Sequence, residues 1–117
     1  MKLYNSYSQT IEELKPIEPG KISMYVCGPT DYNYPHIGNA RPIVVFDTLK
    51  KALSAQGYEV TFASNYTDVD DKIIKTAIEQ NVTEKEITDK FLVAYNDVRK
   101  GLHADLPDYA PRVTETM

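Results

Sequence analysis

The chain has 117 residues, 42% of them hydrophobic, enough for one compact domain and too few for two of ordinary size. Its formal charge is −4, from 13 Lys and Arg against 17 Asp and Glu with no basic cluster, which excludes a self-sufficient grip on a nucleic-acid backbone. A single cysteine, Cys27, excludes an internal disulfide framework.

Met1 is not followed by the basic-then-apolar pattern of a secretion signal, and no apolar run approaches the ~20 residues of a membrane span, so a cytoplasmic setting with no membrane contact is expected. Lys2-Leu3-Tyr4-Asn5 reads as a short edge strand, and the polar stretch after it runs to the turn pair Pro19-Gly20. Over residues 21–27, Ile22, Met24 and Val26 alternate with Ser23 and Tyr25, the period of a strand, and Cys27 closes it. Gly28-Pro29-Thr30-Asp31 then breaks regular structure, and a loop leads to His36-Ile37-Gly38-Asn39.

Beyond Asn39 the period changes. Ile43, Phe46, Leu49 and Leu53 lay one apolar stripe along a helix, with Asn39 as the expected N-cap, Pro42 in the first turn and Gly57 as the stop. Residues 58–65, with Val60 and Phe62 on one face, supply a second strand, and its arrival soon after a helix predicts a parallel βαβ crossover. Two more helices follow, one over about residues 70–80 and one opening on the capping-box pattern Thr83-Glu84-Lys85-Glu86, with Ile87, Phe91, Tyr95, Val98 and Leu102 as its apolar face. Leu106-Pro107-Asp108-Tyr109-Ala110-Pro111 reads as a loop, and no third clear parallel strand precedes Met117. The expected fold class is α/β, one half of a doubly wound domain.

The strand-to-helix loop at the carboxyl end of the first parallel strand is where open α/β sheets bind ligands. A helix N-terminus offers N–H groups and partial positive charge, Gly38 permits close approach, and His36 can donate to phosphate oxygens; the bland alternative is a loop that only packs and turns. A lone strand-end cysteine is either a small buried hydrophobe or a ligand. Gly28 and Thr67 admit equally plain readings as a turn glycine and a strand-end cap. The acidic run Asp68-Val69-Asp70-Asp71 is no EF-hand loop, because Ile73 stands where the sixth-position glycine is needed; these acids are expected to cap the following helix. His103, without partners at ligand spacing, reads as a surface or capping residue.

Three runs together resemble the cysteinyl-tRNA synthetases: Met24-Tyr25-Val26-Cys27-Gly28-Pro29-Thr30, then His36-Ile37-Gly38-Asn39, then Asn65-Tyr66-Thr67-Asp68-Val69-Asp70-Asp71-Lys72-Ile73-Ile74. The resemblance covers residues 1–117, including Pro111-Arg112-Val113-Thr114-Glu115. It implies the amino-terminal half of a Rossmann-like, HUP-type nucleotide-binding catalytic domain with following helices, ending before the remaining zinc ligands and the second, lysine-bearing signature loop. It further implies an ATP-dependent ligase that joins cysteine to tRNA(Cys) through a cysteinyl adenylate, with ATP and Mg as substrate and counter-ion.

By the same resemblance, His36, Gly38 and Asn39 meet ATP, with His36 and Asn39 acting in catalysis. Cys27 is a zinc ligand that helps select the soft sulfur of cysteine, and Cys27, Gly28 and Thr67 line the amino-acid pocket. Asn39 departs from the more common histidine at the fourth signature position; an amide keeps an N–H donor but cannot be protonated. The resemblance is shared by the mycothiol-pathway cysteine ligases, against which Asp71-Lys72-Ile73-Ile74-Lys75 speaks, and the other alternative is a folded fragment without catalysis. The isolated chain is expected to be inactive, poor in zinc affinity and prone to self-association.

Overall fold

The chain opens on a hairpin in which β1 (Lys2–Asn5) pairs antiparallel with β2 (Thr10–Glu13), from Lys2 opposite Glu13 to Asn5 opposite Thr10. This computed structural model describes residues 1–30 and 32–116; Asp31, read above as part of a loop, and Met117, read as the chain's end, lie outside the described residues. The sequence reading sees only a polar stretch at β2. Every residue of β2 is exposed, so no apolar alternation marks it, and pairing with β1 rather than burial makes it a strand. The hairpin is a sheet of its own.

The second sheet is the predicted parallel unit. β3 (Lys21–Val26) pairs with β4 (Glu59–Ser64) in continuous register from Lys21 opposite Glu59 to Val26 opposite Ser64, and α1 (Ile37–Ala55) is the crossover between them. The predicted stripe of α1 faces inward, with Ile43 and Leu53 buried and Phe46 and Leu49 half-buried. Each fully buried Ile or Leu contributes about 1.5–3 kcal/mol to holding the helix against the sheet.

The start of α1 differs from the expected cap, while its end stops at the expected glycine. The N-cap is His36, not Asn39; Asn39 is the third helical residue and closes a capping box. Pro42 therefore sits in the second turn, inside the helix, where its missing N–H removes the α-helical bond to the Gly38 carbonyl. At the other end Gln56 is the C-cap, and Gly57 follows it with φ +93°, a conformation glycine adopts without strain.

Two helices follow β4. α2 (Asp71–Gln80) is capped by Asp70, whose carboxylate accepts from the Lys72 N–H at 2.9 Å. α3 (Glu84–Gly101) starts on the expected capping box, Thr83 Oγ1 accepting from Glu86 N–H at 3.2 Å and Glu86 Oε2 from Thr83 N–H at 3.0 Å. His103, just past the C-cap Leu102, takes the left-handed conformation that turns the chain away, in keeping with the capping reading. The helices pack through one cluster of Ile73, Ala77, Ile87 and Phe91, and a second cluster of Ile43, Tyr66, Tyr95 and Ala104 joins α1 and α3 to the end of β4.

Residues 106–111 form no strand, yet part of the segment lies parallel to β4. Tyr109 bridges Ala63 and Arg112 bridges Tyr66, while Ser64 N–H donates to Tyr109 O at 3.0 Å and Tyr66 N–H to Pro111 O at 2.9 Å. Prolines at 107 and 111 cannot donate, so this third lane never becomes a regular ladder. It is pinned by Arg112, whose guanidinium reaches Asp89 of α3 at 2.7 Å, and by Asp68, which accepts from the backbone and hydroxyl of Thr114 in α4 (Val113–Thr116). Lys85 donates to the same Asp89; its hydrogen bond, then that of Arg112, hold the carboxyl below the usual aspartate range. Arg112 is in turn pushed upward by Asp89.

Candidate functional site

The carboxyl end of β3, the start of α1 and the inner faces of α2 and α3 meet around a cleft with two adjoining hollows. One, of about 240 Å³, is lined by Pro29, Thr30, Tyr32, Asn33, Tyr34, Pro35, His36, Asn39, Lys72, Phe91 and Tyr95. The other, of about 120 Å³, is lined by Cys27, Gly28, Pro29, Gly38, Asn39, Pro42 and Tyr95. Pro29, Asn39 and Tyr95 are walls common to both, so Cys27 and His36 face adjoining parts of one cleft.

The entry to α1 sets the hydrogen-bonding character of this cleft. His36 Nδ1 accepts from the Gly38 N–H at 3.0 Å, and Asn39 Oδ1 accepts from the His36 N–H at 3.0 Å. Acceptance at Nδ1 puts the proton of the neutral ring on Nε2, and use of the Asn39 oxygen leaves its NH2 group as the free end. The donors are therefore side chains: the Gly38 amide is already taken by the imidazole, and the Asn39 amide donates to His36 O at 2.8 Å. The backbone N–H groups of Gly38 and Asn39 are thus occupied within the first turn of the helix. A Cβ at Gly38 would lie 2.8 Å from His36 Cε1 and 3.0 Å from Nδ1, so the glycine makes room for the ring that caps the helix.

Gly28 has an equally local reason. A Cβ there would fall 1.7 Å from the Asn65 carbonyl oxygen and 2.9 Å from its carbon, while the Gly28 N–H donates to Asn65 Oδ1 at 2.8 Å. The two strand ends approach closely enough that only glycine fits. Thr67 lies outside both hollows: its N–H donates to Pro29 O at 3.1 Å, it bridges Thr30, and its hydroxyl is 3.5 Å from Asn65 Nδ2. The structure thus brings Cys27, Gly28, His36, Gly38 and Asn39 around one cleft and leaves Thr67 on the strand extension beside it.

Cys27 is exposed, which answers the buried-hydrophobe reading of its thiol. Among the described residues no group of three or more His, Cys, Asp or Glu side chains is placed to hold a metal ion. A structural or catalytic zinc site takes at least three protein ligands. The residues present therefore do not fit a zinc ion by themselves.

Several cleft residues escape a reading of the sequence alone. Phe91 and Tyr95 carry the 3.6-residue period of α3 and look like ordinary core positions; Tyr95 is only 7% exposed, yet it floors both hollows. Lys72 and Tyr32 come together from α2 and the loop before α1, with Lys72 Nζ 5.4 Å above the Tyr32 ring. Tyr34 meets Phe91 edge to face at 4.8 Å. No spacing rule links the three stretches that supply them, the loop of Tyr32 and Tyr34, Lys72 of α2, and Phe91 and Tyr95 of α3.

A family model described as the class I (C) tRNA synthetase catalytic domain matches residues 13–117. Among curated proteins, the chain is 52% identical over 117 residues to a cysteine–tRNA ligase of Brevibacillus brevis, covering 100% of the chain and 25% of that relative. It is 53% identical over 116 residues to the cysteine–tRNA ligase of Finegoldia magna, covering 98% of the chain and 25% of the relative. With that of Lactococcus lactis subsp. cremoris (strain SK11) the identity is 49% over 115 residues, 98% of the chain and 26% of the relative. The chain spans about a quarter of the length of the curated relatives it matches.

Proposed function

Since this chain belongs to the family of class I (C) tRNA synthetase catalytic domains, we propose that it forms the nucleotide-facing and cysteine-facing part of a ligase that activates cysteine with ATP and passes it to tRNA(Cys). The observation that carries the reading is the shared wall between the two hollows, which sets the His36 and Asn39 donors and the Cys27 thiol in one cleft. In this reading the α/β unit β3–α1–β4 is half of a Rossmann-like, HUP-type domain.

The proposed step is an in-line displacement. A carboxylate oxygen of cysteine forms a bond to the α-phosphorus of ATP, the bond from that phosphorus to the bridging oxygen breaks, and pyrophosphate leaves with the electron pair. His36 Nε2–H and the Asn39 NH2 group donate to phosphate oxygens as charge develops there. Pre-positioned donors of this kind are worth about 3 kcal/mol each. The capping box fixes both side chains before the nucleotide arrives, so no ordering cost falls on the reaction.

Cys27 would contribute one thiolate to a zinc ion whose other ligands come from outside the described residues; when bound, that metal would supply selective recognition of the cysteine sulfur. Gly28 and Thr67 support the pocket in this reading by holding the strand ends together.

The test is cysteine-dependent ATP–pyrophosphate exchange. It is expected from a longer protein that carries this chain together with the remaining family segments, and not from residues 1–117 alone. Cys27→Ala in the longer protein should lower the zinc content measured by atomic absorption. A longer protein that exchanges pyrophosphate with another amino acid in preference to cysteine would refute the assignment.

A further inference from the structure

The larger hollow carries a charge pattern that a chain of net charge −4 does not otherwise predict. Lys21, Lys50, Lys51, Lys75 and Lys85 each reach a carboxylate. Lys2, Lys15, Lys72, Lys90 and Lys100 make no ion pair among the described residues, and of these Lys72 and Lys90 sit over aromatic rings of the hollow's wall, Lys72 Nζ 5.4 Å above Tyr32 and Lys90 Nζ 5.4 Å above Tyr34. The acids nearest in sequence to Lys72 are largely engaged: Asp70 accepts from the Lys72 backbone N–H, and Asp68 is tied to Thr114. Asp71, in the first turn of α2, makes no ion pair among the described residues.

We propose that Lys72 is an anion-binding residue of the cleft, its ammonium meeting the phosphate chain of the nucleotide opposite the donors of His36 and Asn39. The inference rests on the nucleotide reading given above and adds to it a cation that the signature at the start of α1 does not contain. A hollow lined both by side-chain donors and by a lysine is complementary to a polyphosphate, which presents oxygens on all sides. Its size, about 240 Å³, is below the 300–1,000 Å³ that enclose a drug-sized molecule, which suits part of a nucleotide rather than the whole. Tyr32 holds the ammonium at the wall, and among the described residues its charge has no ion pair to break before it turns toward an arriving phosphate.

The experiment uses the full-length protein and compares Lys72→Gln, Lys72→Arg and, as control, Lys75→Gln one turn away, where the ammonium pairs with Glu79 outside the hollow. The readouts are KM for ATP and for cysteine in pyrophosphate exchange, and binding of inorganic tripolyphosphate by calorimetry. Lys72→Gln is expected to raise the ATP KM and weaken tripolyphosphate about tenfold, the scale of one charge-assisted contact, with cysteine KM unchanged. Lys72→Arg should restore most of the affinity, and Lys75→Gln should change neither. Lys72 is an exposed helix position, and thermal melts of each variant verify the fold. Unchanged ATP KM and tripolyphosphate affinity in Lys72→Gln, or a rise confined to cysteine KM, overturns the proposal. Loss of exchange in the wild type together with Lys72-dependent tripolyphosphate binding would instead refute the ligase reading and leave the anion seat standing.

Discussion

Replacing Gly38 by alanine tests whether the first turn of α1 aims its imidazole by packing. The new Cβ would approach His36 Cε1 to 2.8 Å and Nδ1 to 3.0 Å, closer than side chains tolerate, and the mobile partner is the ring rather than backbone. The ring must swing away, which breaks the Nδ1 bond from the Gly38 N–H; losing an N-cap costs about 1 kcal/mol. Alanine in place of a helical glycine returns a similar ~1 kcal/mol. The two effects oppose, so the net change in stability is expected within about 1 kcal/mol. Function should behave differently, because a ring freed from its cap no longer directs Nε2–H at the hollow. Loss of one such donor reaches about 3 kcal/mol, or roughly 100-fold in rate. Urea denaturation of residues 1–117 and pyrophosphate exchange by the longer protein measure the two sides. Full activity with unchanged stability would refute the claim that the glycine exists to admit the capping imidazole.

Gly28→Ala should be destabilising by about 1–3 kcal/mol or more in the same denaturation experiment, because its Cβ would overlap the Asn65 backbone at 1.7 Å and neither strand end can yield alone; a neutral result would mean the strand ends are not held at this spacing. Arg99 is 4% exposed, stacks over Phe62 and Tyr95, donates to Asp105 O and, among the described residues, has no partner for Nε. Arg99→Met is therefore expected to change stability by no more than about 1 kcal/mol, while Arg99→Ala costs about 2–4 kcal/mol through the cavity it leaves; equal losses would show that the charge, not the packing, matters. Asp89 has its carboxyl held below the usual range by Lys85 and then Arg112, so its stabilising effect is complete above the unfolded value near pH ~4 and disappears as pH falls through the lower folded value. Melting temperature should thus fall more steeply below about pH 4 in the wild type than in Asp89→Asn, and parallel curves would remove Asp89 from the acid response. Among the described residues β3 is paired along its length by β4 only, and it carries Tyr25 at 61% exposure, so residues 1–117 are expected to self-associate; a clean monomer in sedimentation at high concentration would count against it.

Local pattern was sufficient wherever one segment determines its own structure. The alternation of Ile22, Met24 and Val26, the stripe from Ile43 to Leu53, the capping box at Thr83 and the turn at Gly57 depend on near neighbours in the chain, and all four are found. The signature residues His36, Gly38 and Asn39 were legible as a group for the same reason, since they share one helical turn. Local pattern misjudged the cap at the start of α1, because a histidine caps rarely and asparagine often, and only the fold-back of the ring over a glycine reverses that preference. It also had no means to find β2, whose partner rather than its composition makes it a strand.

Periodicity and motif order along this chain determined β3, α1, β4, α2 and α3, the parallel crossover and the family. Tertiary structure alone decided that Tyr95 floors both hollows, that Lys72 lines the larger of them, and that residues 109–112 lie along β4. The physical reason is range: capping and periodicity act within about one or two turns of chain, whereas a cleft is assembled by packing elements whose sequence separation leaves no local trace.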